Sequence, residues 1–322
     1  MTINKMPPNS LPTLGPTRRA AALRDGDVVG VVAPARWLHE HELAIAPAAL
    51  LGRRFAVRLA PQLALRLHQF AGSDVDRARG IEAMFADPAV KAILCAKGGY
   101  GAPRIVDQLD YRLIAANPKR FVGYSDMTAL LLAIAQRAGL ETYHGPMLVD
   151  VATGLDDTTK AHLVATLTDA PAPAAADALL RRASVLRAGS ARGRLIGGNL
   201  TLLANMLGTP TDFDTAGAIF FLEDVGEPLY NIDRMLVHLK RAGKFDAIAA
   251  LVIGEMRDLE DSDTVPFGAT VEQMALELVG DRAIPIVANF PCGHTPYQLT
   301  LPIGAMAHLV CTAGRVSAFT VD

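Results

Sequence analysis

The apolar positions of this chain alternate between two rhythms. Short β-branched runs that stop at Gly or Pro are each followed by a stretch with helical spacing. Asp27–Ala33 (DVVGVVA) ends at Pro34 and reads as a strand, and helical periodicity follows over Glu40–Leu51. Further strands are predicted at Ala56–Leu59, Ala92–Ala96 and Arg120–Tyr124, with helices at Asp74–Ala86, Gly101–Leu109 and Met127–Ala138. Strands separated by helices require right-handed crossovers and give a mostly parallel sheet covered on both faces. The fold class expected is therefore α/β.

The rhythm breaks over residues 166–188, an alanine-rich stretch with two prolines that reads as a linker between domains. Beyond it the pattern is less regular. Strands are predicted at Arg192–Gly198, Ala218–Leu222, Ala249–Ile253 and Pro285–Ala288, and helices at Asn231–Ala242 and Val271–Leu278. Ala305–Cys311 and Arg315–Val321 form a hairpin across Thr312–Gly314. The expected organisation is a flexible tail over 1–24, an α/β domain over 25–165, the linker, and a mixed α/β domain over 189–322.

Composition narrows the function classes. A chain of 322 residues with 51% hydrophobic and 20% charged residues has material for about two packed domains. A net charge of −2 leaves no basic footprint for nucleic acid, and no polybasic stretch would hold an anionic membrane surface. No apolar run reaches transmembrane length, and the N-terminal segment lacks the apolar core of a secretory signal. Cys95, Cys292 and Cys311 are too scattered for a disulfide framework or a zinc site, which predicts a cytoplasmic protein without a metal or cofactor. Small molecules and other proteins remain as partners.

The strongest local signal is RFVGYSDMTALLLAIAQ, where a strand runs through Gly123-Tyr124-Ser125-Asp126 into a helix. A sharp strand-to-helix turn of this kind lifts a serine hydroxyl out of the sheet and aims the first helical amides at the reacting carbonyl. The Gly-x-Ser-x-Gly pattern is incomplete, because Met127 stands at its last position, and Ser125 or Asp126 as a helix cap is the competing reading. A serine nucleophile needs a base, and His144 (ETYHGPM) and His294 (NFPCGHTPYQLTLPIG) are the two histidines left after those in helical or alternating stretches are set aside. The acid that would orient the base is sought in FLEDVGEPLYNIDRML, where Glu223-Asp224 end a strand; alternatively these residues and Glu227 balance the following helix. Lys97-Gly98-Gly99-Tyr100-Gly101 follows a strand and can present amides to an oxyanion, and Gly197-Gly198-Asn199 is a second site loop or a tight turn. Dinucleotide and P-loop spacings are missing.

Taken in order, KGGYGAPRIVDQLD, FVGYSDMTALL, YHGPM, LIGGNLTLL, FLEDVGEPLYNIDRML and GHTPYQLTLPIG resemble the LD-carboxypeptidase family of serine peptidases. That family includes muramoyltetrapeptide carboxypeptidases and the related microcin C self-immunity peptidases. The resemblance implies Ser125 as nucleophile, His294 as general base and Glu223 as the residue that orients it. It further implies an oxyanion hole from the amides of Asp126 and Gly99, with Gly98, Tyr100, Lys97 and Asn199 as substrate contacts. The substrate implied is a murein tetrapeptide cut before its terminal D-alanine during peptidoglycan recycling, by a homodimer with its site between two domains. A terminal carboxylate calls for a cation, and Lys97 and Arg104 are near in sequence. The chain departs from the family in having lysine at 97 where arginine is common, and Ala35-Arg36 after Pro34 where a serine is common. The alternatives are an immunity-type peptidase acting on an acyl-sulfamoyl-adenylate-linked peptide, which needs a surface such as Trp37 for a nucleobase, and an inactive peptide-binding module.

Overall fold

A computed structural model describes residues 15–42, 51, 54–151 and 154–322. Two sheets organise the chain. The first has six strands in the order β11-β5-β4-β3-β1-β2: β1 (Val28–Val32), β2 (Ala56–Leu59), β3 (Val90–Cys95), β4 (Arg120–Gly123), β5 (Thr142–His144) and β11 (Leu301–Ile303). β1 to β5 pair in parallel, and β11 closes the edge antiparallel to β5. The central strands β1, β3 and β4 are buried almost throughout, as a sheet covered on both faces requires.

The second sheet has seven strands in the order β13-β12-β7-β8-β9-β10-β6. Its centre, β7 (Gly189–Asn199), β8 (Ile219–Val225), β9 (Ala250–Arg257) and β10 (Ile286–Phe290), is parallel. The flanks β6 (Ser184–Arg187), β12 (Met306–Thr312) and β13 (Arg315–Val321) run antiparallel to their neighbours, and the two edge strands curl toward each other. The fold is thus α/β with a parallel-dominated sheet and a second mixed sheet. No helix among the described residues is long and apolar enough to cross a membrane.

Several expectations change in physical detail. The helix predicted over Gly101–Leu109 is two 3-10 turns, Ala102–Arg104 and Val106–Gln108. Gly101 enters at φ 145 and Pro103 removes an amide donor, so the α-helix begins only at Tyr111, where Asp110 caps it. The helix predicted over Glu40–Leu51 falls largely on residues outside those described. The segment expected as a linker carries the end of one helix, a second helix at Pro173–Leu180, and β6, so its alanines are spent on structure. The expected loose tail is tied down from Arg18 onward: the Arg18 amide donates to Gly139, the Leu23 amide to Leu167, and the buried Arg120 guanidinium donates to the Ala20 carbonyl. The chain crosses to the second sheet at β6, returns for β11 and crosses again at β12, so the two halves are joined by three crossings.

Candidate functional site

In a parallel sheet the segment after each strand starts from the C-terminal edge, and three such edges meet here. β4 ends at Gly123, and Ser125 lies just beyond it in a 3-10 turn (Ser125–Met127) that runs into the helix Thr128–Ala138. Glu223 lies near the end of β8, at a register shift between Leu222 and Asp224 in the pairing with β9. His294 is four residues past the end of β10.

Ser125 is held at φ 62, in the left-handed region that serine rarely adopts. Its Oγ lies 3.1 Å from His294 Nε2, and His294 Nδ1 lies 2.8 Å from Glu223 Oε2. Of the two histidines left open by the sequence, the one that reaches Ser125 is therefore His294. His144 is fully buried in β5, its ring against Tyr124 and Phe221, and burial pushes its pKa down to about 4. The acid resolves in the same way. Asp224 turns to Asn199 Nδ2 (2.9 Å) and to the Thr201 amide (2.9 Å), while Glu227 accepts from Asn231.

The electrostatics follow from burial. Glu223 has no exposed surface, which alone would raise its pKa, yet the imidazole of His294 holds the carboxyl below its ordinary range. Burial likewise opposes a charged His294, but Glu223's charge and hydrogen bond win and hold it above the ordinary histidine value. An ionised carboxylate only accepts, so the His294 proton sits on Nδ1 and a bare Nε2 faces the serine hydroxyl. Gly293 makes this approach possible: at φ 100, a Cβ there would stand 2.6 Å from Glu223 Oε2. The Tyr124 ring packs on the imidazole with centroids 4.9 Å apart.

Neither Ser125 nor Asp126 acts as a helix cap. The Asp126 carboxylate, buried so that its pKa rises to about 6, instead accepts from the Ala102 amide at 2.7 Å. That bond fastens the glycine-rich loop to the serine turn. Gly98 lies against Ser125, where a Cβ would be 3.3 Å from Oγ, and Gly99 comes next at φ 103.

A cavity of about 160 Å³ opens on Ser125 and His294, lined by Arg36, Lys97, Gly98, Gly99, Tyr124, Met147, Val149 and Asp150. A larger hollow of about 590 Å³, bounded by Arg120, Tyr143 and His162, does not include the serine. Of the expected substrate contacts, Gly98 and Lys97 line the serine cavity, but Tyr100 and Asn199 do not. Tyr100 stands exposed beside Phe70. Asn199 is buried, caps the helix Leu200–Met206 and receives Glu223 as its register partner in β7, a supporting position behind the acid. Lys97 is already paired with Glu42 at 3.0 Å, and Arg104 with Asp74 at 2.8 Å. Sequence reasoning missed Tyr124, Met147 and Asp150; Asp150 accepts from the Tyr124 hydroxyl (3.0 Å) and the Met147 amide (2.7 Å), and no spacing pattern marks it. Among the described residues no group of three or more His, Cys, Asp or Glu is arranged to hold a metal ion.

Comparison with known proteins places the site in context. Residues 29–145 match the family model of the LD-carboxypeptidase N-terminal domain, and residues 192–309 that of the LD-carboxypeptidase C-terminal domain. A probable murein peptide carboxypeptidase of Bacillus subtilis is 38% identical over 294 residues, 89% of this chain and 89% of that protein. The crystal structure of muramoyltetrapeptide carboxypeptidase from Oxalobacter formigenes superposes with a TM-score of 0.78 at 31% identity, covering 90% of this chain and 97% of that one. The microcin C7 self-immunity protein MccF of Escherichia coli is 29% identical over 263 residues, 73% of this chain and 75% of that protein.

Proposed function

This chain belongs to the LD-carboxypeptidase family and is a serine-type carboxypeptidase, and from that premise we infer that it releases the terminal D-alanine of a murein tetrapeptide through an acyl-enzyme on Ser125. The observation that carries the reading is the continuous chain Ser125 Oγ, His294, Glu223, at 3.1 and 2.8 Å, with the serine on a strained turn.

In this mechanism Ser125 Oγ attacks the carbonyl carbon of the last peptide bond while His294 Nε2 takes its proton. The amides of Asp126 and Gly99 receive the oxyanion. The C–N bond then breaks, and His294 returns the proton to the leaving amine, freeing D-alanine and leaving an ester on Ser125. Water loses a proton to His294 as it attacks that ester, and Ser125 recovers the proton when the shortened peptide departs. Glu223 keeps the Nδ1 proton in place and stabilises the imidazolium that forms twice per cycle.

The same reading puts the enzyme in the cytoplasm as a homodimer acting on recycled wall fragments; three buried free thiols suit a reducing compartment. The immunity-type alternative wanted Trp37 as a nucleobase platform. Its indole donates to the His68 carbonyl, and the Arg66 guanidinium already covers its ring at 4.2 Å. That leaves the peptide reading ahead. The test is D-alanine release, followed by mass spectrometry, from a murein tetrapeptide beside an L-alanine-terminated control. Release only from the D-terminated peptide supports it, and release from neither overturns it.

A further inference from the structure

We propose that Arg36 is the residue that recognises the free carboxylate of the departing amino acid, and so makes the enzyme a carboxypeptidase. The inference deepens the function just described and rests on it. Two cations line the serine cavity, Arg36 and Lys97. Lys97 is neutralised by Glu42, whereas Arg36 makes no ion pair among the described residues. Arg104, the other candidate, is held by Asp74 through Nε and one Nη and does not line the serine cavity.

Placement supports the assignment. The glycine pair of the 98–99 loop separates serine from arginine: a Cβ at Gly98 would stand 3.3 Å from Ser125 Oγ, and one at Gly99 would stand 2.5 Å from Arg36 Cδ. The arginine stem thus lies on the residue next to the one that touches the nucleophile. A terminal carboxylate sits one residue beyond the scissile carbonyl, a step of about 3.8 Å along the chain. Gly99 is what lets the Arg36 stem lie flat there, since any side chain would collide with it. The two loops are also locked together from behind, because the buried Arg77 guanidinium donates to the carbonyls of both Pro34 and Gly101. Arg36 therefore projects from a fixed base, and its planar fork matches a carboxylate with two parallel hydrogen bonds.

The experiment compares a murein tetrapeptide with the same peptide ending in a carboxamide. Arg36→Gln lowers kcat/KM for the free acid roughly ten- to a hundredfold more than for the carboxamide, so the preference for the acid disappears. Arg36→Lys restores part of it. Labelling of Ser125 by a fluorophosphonate, which needs no carboxylate, persists in both variants and shows the nucleophile to be intact. A Gln variant that keeps the parent's preference overturns the assignment, and so does one that loses both reactions equally. Titrating the two peptides into Ser125→Ala, with and without Arg36→Gln, decides the matter independently of turnover. Tighter binding of the acid that vanishes with Arg36 supports the role even where D-alanine release fails, which would sink only the functional reading. Equal affinities, no binding of the acid, or Arg36-dependent binding confined to an aminoacyl-sulfamoyl nucleoside overturns it.

Discussion

Replacing Glu223 by glutamine is the most informative perturbation of this site, because it removes one charge and almost no volume. Glu223 Oε2 is 2.8 Å from His294 Nδ1 and the carboxyl is fully buried, so its charge acts on the imidazole with little solvent screening. The exchange has two effects. The glutamine amide can donate to Nδ1, which places the histidine proton on Nε2, where it can no longer accept from Ser125. The imidazolium also loses its counter-charge in both proton-transfer steps. In the Ser-His-Asp template the equivalent exchange lowers kcat by about 10⁴-fold, and a fall of roughly 10³–10⁴ is expected here, about 4–5.5 kcal/mol of barrier. The pH profile supplies a second readout. Activity requires a neutral His294, whose pKa Glu223 holds above the ordinary value near 6.5, so the parent's rate rises with pH along a limb above that value. Without the carboxylate that limb moves to lower pH even as the plateau falls. The assay is D-alanine release across pH 5 to 9 for both proteins, with thermal melting as a check on folding. A well-folded glutamine variant within tenfold of the parent, with an unmoved limb, would refute the role given to Glu223.

Three further outcomes can be checked with the same assay. Ser125→Ala lowers turnover by roughly 10³–10⁶ and abolishes labelling by a fluorophosphonate while the protein stays folded, since alanine keeps the Cβ and the same left-handed φ; residual turnover close to the parent's would make Ser125 structural. Gly293→Ala puts a Cβ 2.6 Å from Glu223 Oε2 on a backbone at φ 100, and should cost both activity, at least tenfold, and stability, seen as a lower melting temperature; an unperturbed variant would mean the His294 loop adapts freely. Exhaustive chelation leaves the rate unchanged, since the base is supplied by His294; loss that zinc restores would contradict the mechanism.

The parallel core was legible because β1, β3 and β4 are short apolar runs fenced by Gly and Pro, and the serine turn because a strand ran into a helix without a spacer. What failed did so where local pattern competes with tertiary context. Gly101–Leu109 has helical spacing, but Gly101 and Pro103 impose a backbone no periodicity score weighs. The alanine-rich stretch over 166–188 has a linker's composition, yet the helix Pro173–Leu180 packs on the one before it and β6 pairs with β10, contacts that composition cannot announce. At the site, residue types alone put His294 only slightly ahead of His144 and did not separate Glu223 from Asp224. Alternation in a strand sends Glu223 and Asp224 to opposite faces, and the choice between them depends on which face meets the serine edge. Family resemblance names His294, the histidine that lies 3.1 Å from the Ser125 hydroxyl; it did not separate Asn199, a buried residue behind the acid, from residues that face the cavity.

The division of the site between two sheets has a mechanical consequence. Ser125 in its left-handed conformation stores about 1–3 kcal/mol that the surroundings must hold. One restraint is local, the Met127 amide donating to the Tyr124 carbonyl. A second comes from the glycine-rich loop through Asp126 and Ala102. The third crosses between the halves of the molecule: the Asn199 amide, at the end of β7, donates to Thr128 Oγ1 at 3.0 Å, and Gly198 lets that strand end approach, since a Cβ there would be 2.5 Å from the threonine. Asn199 is also the register partner of Glu223 in the neighbouring strand. One contact therefore fixes the helix that carries the serine relative to the strand that carries the acid, and the distance from Ser125 to His294 is set by how the two sheets dock. Mutations at the Thr128–Gly198 contact, whose residues do not line the serine cavity, should act on kcat through this spacing while leaving substrate affinity largely intact.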